Sequence, residues 1–107
     1  MADMAVANAI LEQLGGARFV AMTGAKLIVG GESHLQFKLP ARFAKDGINC
    51  VRVELEPSDT YRAIFYKLGR TSTVIVHRVD GVHADSLRAV FTSATGLETS
   101  LGSMAAV

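Results

Sequence analysis

The sequence predicts an α+β fold: an antiparallel β-meander sheet of four to six strands, flanked by an N-terminal and a C-terminal helix. Three observations carry this. Ala7, Ile10, Leu11 and Leu14 recur at i, i+3, i+4 and i+7, which is one face of a helix. Residues 17–79 instead fall into short runs of β-type residues. The connections between those runs are short, whereas parallel strands would need crossovers of about a dozen residues.

Taken in order, the first helix has Asp3 as a candidate N-cap and Gly15-Gly16 as its stop. Arg18–Met22 and Lys26–Val29 read as two short strands around a tight turn at Thr23-Gly24-Ala25, the second closed by Gly30-Gly31. His34–Leu39 alternates cleanly, with Leu35, Phe37 and Leu39 on one face, and Pro40 stops it. Residues 41–48 read as a loop turning at Asp46-Gly47. Cys50–Leu55 follows with Val51, Val53 and Leu55 inward and Cys50, Arg52 and Glu54 outward. Tyr61–Leu68 carries apolar residues on both faces, which suggests a central position or a partly covered second face. Thr73–His77 is the last strand. A helix is then expected to start at Asp80 or Gly81, bury Leu87, Val90, Phe91 and Ala94, and end at Gly96. Residues 1–101 form one α+β domain in this reading, and 102–107 a flexible tail.

The chain has 107 residues, half of them apolar, which suits one compact core and excludes a disordered chain. Eleven Lys/Arg stand against ten Asp/Glu, so bulk charge selects no class of partner. The single cysteine, Cys50, excludes an intrachain disulfide framework. No apolar run approaches the roughly 18 residues of a membrane-spanning helix, and the start of the chain lacks the basic pattern of a secretory signal. A cytoplasmic setting without membrane contact is the expectation.

Three constellations invite a chemical reading. His77, Asp80, His83 and Asp85 gather two imidazoles and two carboxylates within nine residues, so a small metal-dependent enzyme is one alternative. The spacing matches no established zinc pattern, and Asp80 and Asp85 equally suit a helix start. Cys50 and His34 can face outward from neighbouring strands, but a thiolate–imidazole nucleophile also needs an orienting group and an oxyanion donor. Thr23-Gly24-Ala25-Lys26 lacks the glycine spacing of a phosphate-binding loop, and Lys26 leads into a β-type run. No cofactor is implied.

Charge placement says more than net charge. Residues 60–79 hold Arg62, Lys67, Arg70 and Arg78 with no acid among them, and residues 13–45 hold five cations against Glu32 alone. A sheet covered by helices on one face leaves its other face free. There Lys38, Arg52, Arg62, Lys67, Arg70 and Arg78 are the candidate binding residues, through charge-assisted hydrogen bonds to phosphates or acidic side chains, with Tyr66 beside them as a candidate ring for stacking bases. An open sheet edge pairing with another copy, giving a self-assembling structural module and a homo-oligomer, is the other alternative.

The words Leu14-Gly15-Gly16-Ala17-Arg18-Phe19-Val20-Ala21-Met22-Thr23-Gly24-Ala25-Lys26, Phe37-Lys38-Leu39-Pro40, Gly47-Ile48-Asn49, Asp59-Thr60-Tyr61 and Phe91-Thr92-Ser93-Ala94-Thr95-Gly96-Leu97 resemble a family of small proteins of unknown function carried by bacteriophages and other bacterial mobile elements. The resemblance spans residues 8–101. It departs at Arg62 and Ile64, where acidic residues are usual in the family, and it brings no catalytic motif. By analogy of context it implies a non-enzymatic accessory protein that binds a host protein or nucleic-acid complex, inhibition of host defence being one such role.

Overall fold

The computed structural model describes residues 4–40 and 44–97. A helix α1 (Ala5–Leu14) and a short helix α2 (Ala17–Thr23) precede five strands, β1 (Lys26–Gly30), β2 (His34–Lys38), β3 (Cys50–Leu55), β4 (Tyr61–Leu68) and β5 (Thr73–Val82). A 3-10 turn (Lys45–Gly47) lies before β3, and a second (Ala84–Ser86) leads into the last helix, α3 (Leu87–Thr95). The strands form one antiparallel meander in the order β1-β2-β3-β4-β5. The α+β expectation holds, with one helix more than the sequence reading had.

Register sorts the side chains. Leu35, Val53, Ala63 and Val79 stand in one row across β2 to β5, and Phe37, Val51 and Phe65 in the next. These residues, Val79 only in part, are buried beneath the helices with Ala7, Ile10 and Leu14 of α1, Phe19 of α2 and Leu87 and Phe91 of α3. Phe19 sits at the centre, edge-on to Phe37 at 5.0 Å and to Phe91 at 5.3 Å. Such T-shaped pairs add about 0.5–1.5 kcal/mol each beyond the area they bury. All three helices therefore close one face of the sheet. No described element covers the other face.

Two elements differ from the sequence expectation. Residues 17–23, expected to begin a β-run, are helical. Phe19 and Thr23 are buried while Ala21 between them is exposed; a helix brings residues four apart onto one face and turns Ala21 away, whereas a strand would put all three on the same face. The expected hairpin turn at Thr23-Gly24 is instead a helix C-terminus, with Gly24 left-handed at φ 70°. At the other end, Asp80 and Gly81 do not start a helix. They belong to β5, where the register slips opposite Tyr61–Ala63 and Gly81 takes φ 66°. The remaining strands fall where expected; of the expected stripe on α3, Leu87 and Phe91 are buried while Val90 and Ala94 are only partly so, and the helix ends at a left-handed Gly96. Asp3, residues 41–43 and the 102–107 tail lie outside the described residues.

Gly30 shows why one glycine is needed. A Cβ there would come within 2.6 Å of the Ala7 side chain, so α1 reaches the end of β1 only over a bare backbone.

Candidate functional site

The open face carries three rows of side chains. The first is His34, Glu54 and Arg62, the second Gln36, Arg52, Ile64 and Arg78, the third Lys38, Cys50, Tyr66 and Ile75. Four expected binding residues, Lys38, Arg52, Arg62 and Arg78, thus share one face as the strand alternation requires.

Three of them are already occupied. Arg52 Nε donates to Glu54 at 2.7 Å. Arg62 donates to Asp80 at 2.9 Å and to Glu56 at 3.1 Å, and Arg78 reaches the same Asp80 at 3.2 Å. Hydrogen bonds from Arg78 and Arg62 hold the Asp80 carboxyl below its usual value, against partial desolvation, and the bond to Asp80 pushes Arg62 further up. Ile64 is buried in spite of its place on this face, with Arg52 and Arg78 as its cross-strand neighbours; arginine stems cover apolar surface in this way. The basic face that the sequence suggested is therefore a balanced lattice. Glu54, Glu56 and Asp80, distributed in sequence outside or at the border of the acid-free runs, fold back onto the cations.

The other expected cations part company. Lys67 alternates with Tyr66 and so shares the helix-covered side with Phe65, its stem against Gly47 of the 3-10 turn. Arg70 lies in the turn between β4 and β5, which is closed by the Gly69 N–H to the Ser72 carbonyl at 2.8 Å.

Arg70 meets Lys38 at the end of the sheet, around a groove of about 490 Å³. Lys26, which the sequence reading left out of the site, completes the set: it stands directly opposite Lys38 in the β1–β2 register. Leu27, Leu39, Asn49, Leu68 and Gly69 supply the rest of the wall, and no acid is among the described residues that line it. Asn49 builds the far wall: its side chain donates to the Leu68 carbonyl at 3.1 Å and accepts the Leu68 N–H at 2.7 Å. That double bond substitutes for a ladder pair and fixes the β4 end from which Arg70 projects. Like charges directly opposite on a sheet are destabilising, so Lys26 and Lys38 face each other at a cost that a bound anion would offset. Their spacing in sequence hid this pairing. The β1–β2 register alone reveals it.

The catalytic alternatives lose their geometry. His77 Nε2 lies 3.5 Å from Asp46 on the helix side of the sheet, while Asp80 is held by arginines on the open face, so the His77–Asp85 cluster does not converge. Among the described residues no group of three or more His, Cys, Asp or Glu is placed to hold a metal ion. His34 stands opposite Glu54 and Cys50 opposite Lys38, at the two ends of the β2–β3 ladder. Cys50 stands on the open face as expected, yet is only 2% exposed; burial pushes its thiol up, partly opposed by Lys38 and a backbone hydrogen bond. A second groove of about 570 Å³ lies between β5 and α3, with Val79, Ala89, Val90 and Ala94 along its wall and His77 and Asp46 beside them. Among the described residues no helix is long and apolar enough to cross a membrane. Comparison with protein-family models, with curated proteins and with solved structures finds no match to the chain.

Proposed function

We propose that this chain is a non-enzymatic binding protein whose cation-lined groove receives anionic groups of a host protein or nucleic-acid complex. The observation that carries the reading is the contrast between the cations. Arg52, Arg62 and Arg78 have carboxylate partners, whereas Lys26, Lys38 and Arg70 converge on a groove with no acid among its described lining residues. A cation with no carboxylate partner among the described residues is available for a charge-assisted bond to a phosphate or carboxylate. The resemblance to phage and mobile-element proteins supports an accessory role acting on a host complex in the cytoplasm, inhibition of a defence assembly among the candidates.

Two measurements test this. A labelled oligo-deoxythymidine and a labelled oligo-glutamate are titrated at low and high salt, against the parent and Arg70→Ala. Binding that weakens as salt rises, and weakens again in the variant, is the expected result. Salt-insensitive binding, or an Arg70→Ala variant that binds like the parent, contradicts the reading. Capture from host lysate with and without nuclease then separates nucleic-acid from protein partners.

A further inference from the structure

The rim of the groove contains the least ordinary residue of the fold. Leu27 has φ 53°, a left-handed backbone that bulky side chains avoid, and its side chain is 65% exposed. The cause lies in the β1–β2 register. Lys26 pairs with Lys38 and Val29 with Gln36, so Leu27 and Ile28 together oppose Phe37 alone. This is a bulge, a device that re-aims a side chain and recurs beside functional sites. Here it places Leu27 on the groove next to Lys26. Neither burial nor a core contact repays the strained conformation, which makes a role in recognition the physical reason for keeping it.

The geometry points to an extended segment of a partner protein, rich in carboxylates and carrying an apolar side chain, as the occupant of this end of the sheet. The inference rests on the groove reading above and adds the partner's class. Lys26, Lys38 and Arg70 select acids. Leu27, with Ile28 and Val29 also exposed beside it, offers an apolar contact to a side chain of the segment. β1 is an edge strand, so its outer hydrogen-bonding groups have no strand neighbour among the described residues, and an extended segment suits such an edge. A nucleic acid fits less well: no aromatic ring is among the described lining residues, so bases have nothing to stack on.

The test compares three probes of equal length: a peptide of alternating glutamate and leucine, oligo-glutamate, and oligo-deoxythymidine. The alternating peptide is expected to bind the parent most tightly. Leu27→Gly removes the apolar contact and also relieves the left-handed backbone. Leu27→Asn does the same with a residue that tolerates this conformation. Both variants are expected to melt no lower than the parent. Both are expected to bind the alternating peptide roughly tenfold more weakly, as loss of a buried leucine contact implies, and to bind oligo-glutamate unchanged. Tighter binding of oligo-deoxythymidine by the parent, an alternating peptide no better than oligo-glutamate, or a preference that survives both substitutions overturns the inference. A drop in melting temperature for both variants overturns the strain assignment. Loss of oligo-glutamate binding in Arg70→Ala with no effect of Leu27 substitution leaves the groove reading standing and removes this one alone.

Discussion

Thr23 and Thr95 perform one task at two helix ends. Each is fully buried, donates its hydroxyl to the carbonyl four residues back (Phe19 at 2.7 Å, Phe91 at 2.8 Å), and accepts the N–H two residues on (Ala25 and Leu97, both 3.2 Å). The glycine between is left-handed in both cases, at φ 70° and 75°. The device ties the last turn of a helix to the chain leaving it and satisfies polar groups that the core would otherwise strand. Thr95→Val keeps the shape, removes both bonds and leaves the Leu97 N–H without its partner. It is expected to lower unfolding stability by about 1–3 kcal/mol, read by urea denaturation. A variant as stable as the parent contradicts the role given to the hydroxyl. The same motif is not equally legible at its two places in the sequence. Phe-x-x-x-Thr-Gly occurs at 19–24 and again at 91–96, and the second copy was legible as a helix end because a long helical stripe leads into it. The first copy follows Gly15-Gly16 after too few residues for a period to show, so propensity pointed to strand. Burial of Phe19 and Thr23 in the assembled core, with Ala21 between them exposed, marks the helix.

At the scale of elements, strand boundaries were readable where alternation or a breaker marked them. Cys50–Leu55 and Tyr61–Leu68 are strands at the residues expected. What alternation does not encode is the partner of each side chain. Glu54 and Glu56 reach Arg62 across β3 and β4, and Asp80 reaches it from β5, so a chain stretch empty of acids becomes a neutral surface once strands align. Asp80 is the hinge of that lattice, and its titration has a definite sign. Its folded-state carboxyl is depressed, so the unfolded chain binds the proton more readily. The stabilisation is present above the ordinary carboxylate value of about 3.9 and is lost as pH falls through the lower folded value. Asp80→Asn is expected to lower the melting temperature near neutral pH and to match the parent once the solution is acidic enough to protonate Asp80 in both states. A pH-independent difference between the two would show that the carboxylate's charge is not what links β4 to β5.

The whole molecule divides its charge by location. The middle of the open face is balanced, the helix-covered face carries the core, and Lys26, Lys38 and Arg70 gather where β1, β2 and the β4–β5 turn meet, with no acid among the described residues that line the groove there. Two of those three, Lys38 and Arg70, were among the candidate binding residues on sequence grounds. Lys26 was not, because only the hairpin register places it against Lys38. The central claim is that this end of the sheet keeps cations unopposed for an anionic partner, at some expense in stability. Lys38→Glu tests it most directly, with melting temperature and oligo-glutamate affinity measured on one sample. Replacing a like-charge cross-strand pair with an opposite-charge pair is expected to stabilise the fold by about 0.2–1 kcal/mol, while anion binding falls at least tenfold. A variant that is no more stable than the parent and binds the anion equally well would contradict the account.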